Sequence, residues 1–172
     1  GVRFVVIEPL AGNKIDGVTF WLDKHSPVIA LSLRYDRIDW FWFTLGHECG
    51  HISQKNGLAD LQPVVDTDIV GEQQHADDDM PESEKIADGF ASDFLIPRER
   101  LQNFIDRTGP IYFKGKIIGF AATLGVHPGI VVGQLQYRRE IGFSANRDTL
   151  VRIRQFVIEA ALTDGWGHTV SI

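Results

Sequence analysis

Apolar residues at the start of the chain fall into three short runs, Arg3 to Glu8, Gly17 to Leu22 and Val28 to Leu33, rich in Val, Ile and Phe. Gly-Asn, Asp-Gly and Ser-Pro pairs separate them, so each run predicts a strand of a small sheet. From Arg37 the pattern changes. An aromatic run, Trp40-Phe41-Trp42-Phe43, leads into polar residues in a way that predicts a helix buried in a core. Ile86, Ala87, Phe90, Ala91, Phe94 and Leu95 then recur at helical spacing in a stretch that opens at Glu84 and that Pro97 stops. Further helices are expected at Arg98 to Asp106, Lys116 to Leu124, Pro128 to Arg138 and Thr149 to Leu162. The sum is an α+β fold: a small N-terminal, mainly antiparallel sheet against a helical core, with helices outnumbering strands.

The aromatic helix runs into His47-Glu48-Cys49-Gly50-His51. Two histidines four apart on a helix share a face, so both imidazoles can reach one metal ion. That is zinc-ligand spacing. Glu48 projects beside the same site and is placed as a general base for metal-activated water. The plainer reading makes His47 and His51 core histidines bonded to carbonyls and carboxylates. A buried helix carrying His, Glu and His nevertheless needs a reason for its polar groups.

A catalytic zinc with two histidines takes a third protein ligand and leaves one position for water. Glu84 is the first candidate. Asp88, four residues on and on the same face, can accept a hydrogen bond from a ligating imidazole and fix its tautomer. Glu84 would equally suit the first turn of a helix capped by Ser83. His75 is a rival third ligand, but a loop histidine is less pre-organised than a glutamate on a helix.

The pairing of His-Glu-Cys-Gly-His with the downstream Glu84-x-x-Ala87-Asp88-x-Phe90-Ala91-x-x-Phe94-Leu95-Ile96-Pro97 resembles the ImmA/IrrE family of gluzincin-like zinc metallo-endopeptidases. Members often stand beside, or are fused to, a helix-turn-helix repressor domain. The stretches 26–39 and 124–136 are similar to the branch at the C-terminus of HigA-type antitoxin regulators, and the resemblance extends over about residues 1 to 143. It implies that His47, His51 and Glu84 hold Zn2+, that Glu48 is the base and that Asp88 orients a ligand. It also implies a cytoplasmic setting and a repressor- or antitoxin-class protein as substrate. The other reading is a non-catalytic sensory or partner-binding module of a transcriptional regulator.

With 172 residues and 44% hydrophobic content, one domain is the simplest count, with residues from about 144 to 172 as a helical extension. No apolar stretch is long enough to span a bilayer and no signal-peptide pattern opens the chain, as expected of a soluble intracellular domain. Gly1 runs directly into Val2-Arg3-Phe4 without Met, which suggests a domain excised from a longer chain, with a helix-turn-helix domain before it. The lone Cys49 reads as a small buried thiol.

Three further features bear on function. The stretch from Asn56 to Ser83 carries eight acids and no Lys or Arg. It reads as a solvated acidic loop, or as a lid over a cleft. Residues 117–139 have the rhythm of a helix-turn-helix that would offer Gln134, Gln136, Arg138 and Arg139 to DNA, but a formal net charge of -6 opposes phosphate contacts. His127 and Tyr112 are weak candidates to polarise a substrate carbonyl.

Overall fold

Every residue of Pro27–Leu31 is buried, which marks this strand as covered on both faces. It is β3 in a five-stranded sheet with β1 (Arg3–Val6), β2 (Ile15–Trp21), β4 (Val64–Thr67) and β5 (Leu162–Thr163), in the order β4-β2-β3-β1-β5. The computed structural model describes residues 1–8, 12–67, 69, 80–160 and 162–163. β2 runs antiparallel to β3 and β4, whereas β1 runs parallel to β3 and β5. The sheet is therefore mixed, and its antiparallel character is confined to β2 and its neighbours.

Among the described residues six helices follow the opening strands: α1 (Ile38–Gln54), α2 (Glu82–Leu95), α3 (Arg98–Thr108), α4 (Lys114–Leu124), α5 (Pro128–Tyr137) and α6 (Arg154–Ala160). The architecture is α+β, as the sequence pattern predicts. Phe43, Leu95, Leu101, Phe104, Ile117 and Leu135 are among the buried side chains that form one core across α1 to α5. A smaller cluster of Val6, Leu33 and Ile153 lies between the sheet and α6.

Three expectations need correcting. The segment Thr149 to Leu162 is not one helix: a single 3-10 turn ends at Thr149 and α6 starts only at Arg154. Asp36 Oδ1 accepts from the backbone N–H groups of Ile153 and Arg154, so a carboxylate remote in sequence supplies the acceptor and sets the start. Ser83 does not cap α2. The cap position is Pro81, whose carbonyl already accepts from the Glu84 and Lys85 amides. Finally, the polar stretch expected as loop contains β4, a short β-branched run that β2 recruits as an edge strand.

α1 and α2 approach so closely that their backbones nearly touch. A Cβ added at Gly50 would lie 2.8 Å from Ala87 Cα, and one at Gly46 would lie 3.0 Å from Ala91 Cα. Only glycine facing alanine permits this approach. Pro97 forces Ile96 into an extended conformation and ends α2 as expected.

Candidate metal centre

The glycine-alanine seam brings the first turns of α2 against the last turns of α1. His51 and Glu48 are fully buried and His47 is 2% exposed. His47 Nδ1 lies 2.7 Å from Asp88 Oδ1, and His51 Nδ1 lies 2.9 Å from Asn56 Oδ1. Each Nδ1 therefore donates outward, which turns both Nε2 lone pairs inward. The two Nε2 atoms are 3.0 Å apart, and Glu84 Oε2 sits 3.1 Å from one and 3.4 Å from the other.

Lone pairs held that close repel unless a proton or a cation lies between them. Ligand atoms about 2.0–2.2 Å from a common tetrahedral ion are separated by roughly 3.4 Å, so this triangle fits zinc. Burial works against charge on His47, but hydrogen bonds with Asp88 and Glu84 outweigh it and push the ring up to about 9. Burial likewise opposes charge on His51, yet the carboxylates of Asp66 and Glu84 and the Asn56 side chain push it up to about 10. Glu84 is held well below the usual carboxylate range by its bonds to His47 and His51. The surroundings thus favour positive charge at the point where the ring nitrogens meet.

Glu48 points from α1 towards β2. Its Oε2 accepts a 2.6 Å hydrogen bond from the Thr19 hydroxyl, and its buried Oε1 has no partner. Burial and then the charge of Asp66 push its pKa up to about 8. Gly17 makes the room: a Cβ there would fall 1.9 Å from Glu48 Oε1.

A fourth group joins the cluster, and sequence reasoning missed it. Asp66 on β4 offers an oxygen so that the ligand atoms of His47, His51, Asp66 and Glu84 all lie within 4.8 Å of one another. Asn56, Thr19, Gly17 and Tyr137, whose hydroxyl donates to Asp88 Oδ2 at 3.1 Å, were missed as well. A cleft of about 310 Å³ reaches the cluster between β4 and the start of α2, lined by Val65, Asp66, Thr67, Met80, Pro81 and Glu84 among others.

The family model for peptidase M78, described as the IrrE N-terminal-like domain, matches residues 3–138. The chain belongs to this family. Its expected resemblance to ImmA/IrrE proteins is therefore shown, and with it a metallopeptidase-type function for the cluster. No curated protein matches the chain.

Other candidates of this M78 chain lie elsewhere. Tyr112 is buried beside Phe104 and donates to Glu140 Oε2 at 2.6 Å, and His127 caps α5 by accepting from the Gly129 amide. Neither lines the cleft. α4 and α5 meet at 110°, as a helix-turn-helix would, but Gln134 and Gln136 are buried rather than offered to a groove. Gln136 is engaged by Arg37 and by the carbonyls of Phe143 and Ala145. Cys49 is only half-buried, with burial and the Glu48 charge raising its thiol pKa. His75 lies outside the described residues, as does most of the acidic stretch after Thr67. No single described helix is long and apolar enough to cross a membrane.

Proposed function

We propose that the chain is a zinc-dependent endopeptidase of the ImmA/IrrE type, with a protein or peptide of the repressor or antitoxin class as substrate. The observation that carries this reading is the convergence of His47 Nε2, His51 Nε2 and Glu84 Oε2 beside a glutamate with one unpartnered oxygen. His47, His51 and Glu84 hold the ion, and Asp88 keeps His47 in its ligating tautomer. When bound, zinc supplies Lewis-acid activation of water and of the scissile carbonyl.

The chain's own residues divide the remaining work. Thr19 pins Glu48 Oε2, which leaves Oε1 to take a proton from the attacking water and hand it to the departing amine. Among the described residues β4 has no strand on its outer side, so an extended peptide can add to that edge and lie across the cleft. The sensory-module reading gives Glu48 no task. Duplex DNA is not the partner of these residues, because the net charge of -6 repels phosphate and Gln134 and Gln136 face inward.

Glu48→Gln tests the reading, since it keeps size and removes the basic carboxylate. Zinc content and fold are expected to persist while cleavage of the neighbouring repressor or antitoxin, followed by intact mass, falls by about 10²–10⁴-fold. Equal cleavage by the Gln variant would remove Glu48 from the base role.

A further inference from the structure

The three-ligand site leaves unexplained why a second carboxylate stands at the same point. Asp66 Oδ2 is 3.4 Å from His51 Nε2 and 3.7 Å from His47 Nε2. The residue is 7% exposed, and Oδ2 is a buried oxygen with no hydrogen-bond partner. A buried carboxylate oxygen left without a hydrogen bond is unfavourable unless a cation compensates it. No Lys or Arg makes an ion pair with it among the described residues.

The distances among the four groups carry the argument further. His47 to His51, both to Glu84 and both to Asp66 give five separations between 3.0 and 3.7 Å. Four ligand atoms at the corners of a zinc tetrahedron stand roughly 3.4 Å apart. Five of the six edges of a tetrahedron thus have the length that zinc ligation needs, and the sixth, between Glu84 and Asp66, is within 4.8 Å, so Asp66 Oδ2 stands close to the fourth corner.

The backbone explains how a strand residue gets there. The register of β2 against β4 slips between Ile15 and Gly17, so that Asp16 is extra and Gly17 stands opposite Asp66. Inner and outer positions alternate along β4: Val65 and Thr67 face out while Asp66 is buried. Opposite Asp66, Gly17 has no side chain to stand between the strand and the helix that carries the histidines.

We propose that Asp66 is a fourth protein ligand of the ion, so that the resting site is closed and becomes open to an incoming ligand only when this carboxylate lets go. The proposal rests on the metallopeptidase reading above. It adds that the peptidase is latent as folded and that β4 carries the group to be displaced. A peptide pairing with the β4 edge would act on the same strand, which couples substrate docking to release of Asp66.

The test uses the whole chain and compares wild type, Asp66→Asn and Asp66→Ser, with His47→Ala as a control and circular dichroism to check the fold. Zinc affinity is read by chelator competition, and the Co2+-loaded proteins are titrated with azide and followed by visible absorption. Loss of a group that only orients a ligand costs about 10–100-fold in affinity, so loss of a ligand is expected at the top of that range or beyond. Azide is expected to change the Co2+ spectrum of both Asp66 variants at concentrations that leave wild type unchanged. Equal zinc affinity in wild type and both Asp66 variants overturns the proposal, as does equal azide binding. Wild type without zinc affinity, or with affinity equal to that of His47→Ala, would instead sink the metal reading itself.

Discussion

The helical wall of the cleft and its strand wall hold their polar groups in opposite ways. Where α1 meets α2, the His47 and His51 Nδ1 atoms have oxygen partners, Asp88 is held by Tyr137, and glycine on alanine fixes the backbone separation. Where α1 meets β2 and β4, Glu48 Oε1 and Asp66 Oδ2 are buried and bare. The first wall is a pre-organised holder that fixes the tautomer and direction of both imidazoles. The second gathers two carboxylates beside the histidine pair, and burial together with the charge of Asp66 pushes Glu48 towards its protonated form. Changes at Asp88 on the first wall and around Glu48 on the second should therefore separate binding from chemistry.

The largest effect is expected from Gly17→Ala. A Cβ 1.9 Å from Glu48 Oε1 has to push the carboxylate aside, because β2 is fixed by pairing on both sides. Misplacing a catalytic group by about 1 Å can cost on the order of 10²-fold in rate. Cleavage should fall by about that factor while the triangle of His47, His51 and Glu84 keeps its zinc. If zinc affinity falls in step with the rate, the two walls are not separable.

Asp88→Ala attacks the other wall. It removes the acceptor of His47 Nδ1 and of the Tyr137 hydroxyl, with no direct effect on Glu48. Zinc affinity is expected to drop by about 10–100-fold with the fold intact. A chelator titration that shows no change would make Asp88 an ordinary buried acid.

Gly50→Ala asks whether the seam itself sets the geometry. Alanine normally stabilises a helix interior by about 0.5–1 kcal/mol over glycine. Here its Cβ would sit 2.8 Å from backbone, and overpacking of that kind typically costs about 1–3 kcal/mol, so the clash wins. Gly89 on α2 has nothing within 4 Å of an added Cβ, and Gly89→Ala should be stabilising. Urea unfolding of the pair checks both signs; the same sign in both would dissolve the seam argument.

The helical wall was also the part legible in the sequence. His47 and His51 are one turn apart, Glu84 and Asp88 are one turn apart, and helical periodicity alone puts each pair on one face. The strand wall depends on approaches between residues far apart in the chain. Asp66 looked like one acid among eight in a polar stretch, because four residues, three of them β-branched, do not identify an edge strand without β2 to recruit them. Gly17 looked like turn punctuation, and its task is set by Glu48, distant in sequence. Asn56 lies just past the left-handed cap Lys55 and reaches back to His51, which its position after the helix end could have suggested. The late start of α6 was hidden for the same reason as Asp66, since the acceptor that sets it is the remote Asp36.

The smallest effect is expected from Tyr137→Phe, and it sharpens the account of how far the partnered wall extends. The Tyr137 hydroxyl donates to Asp88 Oδ2 while His47 uses Oδ1, so along this chain of bonds the tyrosine acts on the ion through two intervening groups. Deleting one such hydrogen bond costs about 0.5–1.5 kcal/mol, which is roughly tenfold or less in zinc affinity. The ring also packs against Phe43 at 5.2 Å between centroids, and Phe keeps that contact, so the change reports on the hydroxyl alone. In an Asp88→Ala background the same substitution should have little further effect on zinc, because the hydrogen bond through which it reaches His47 is gone. Additive losses in the double variant would mean that Tyr137 reaches the site by another path, and that the helical wall is less local than its hydrogen bonds imply.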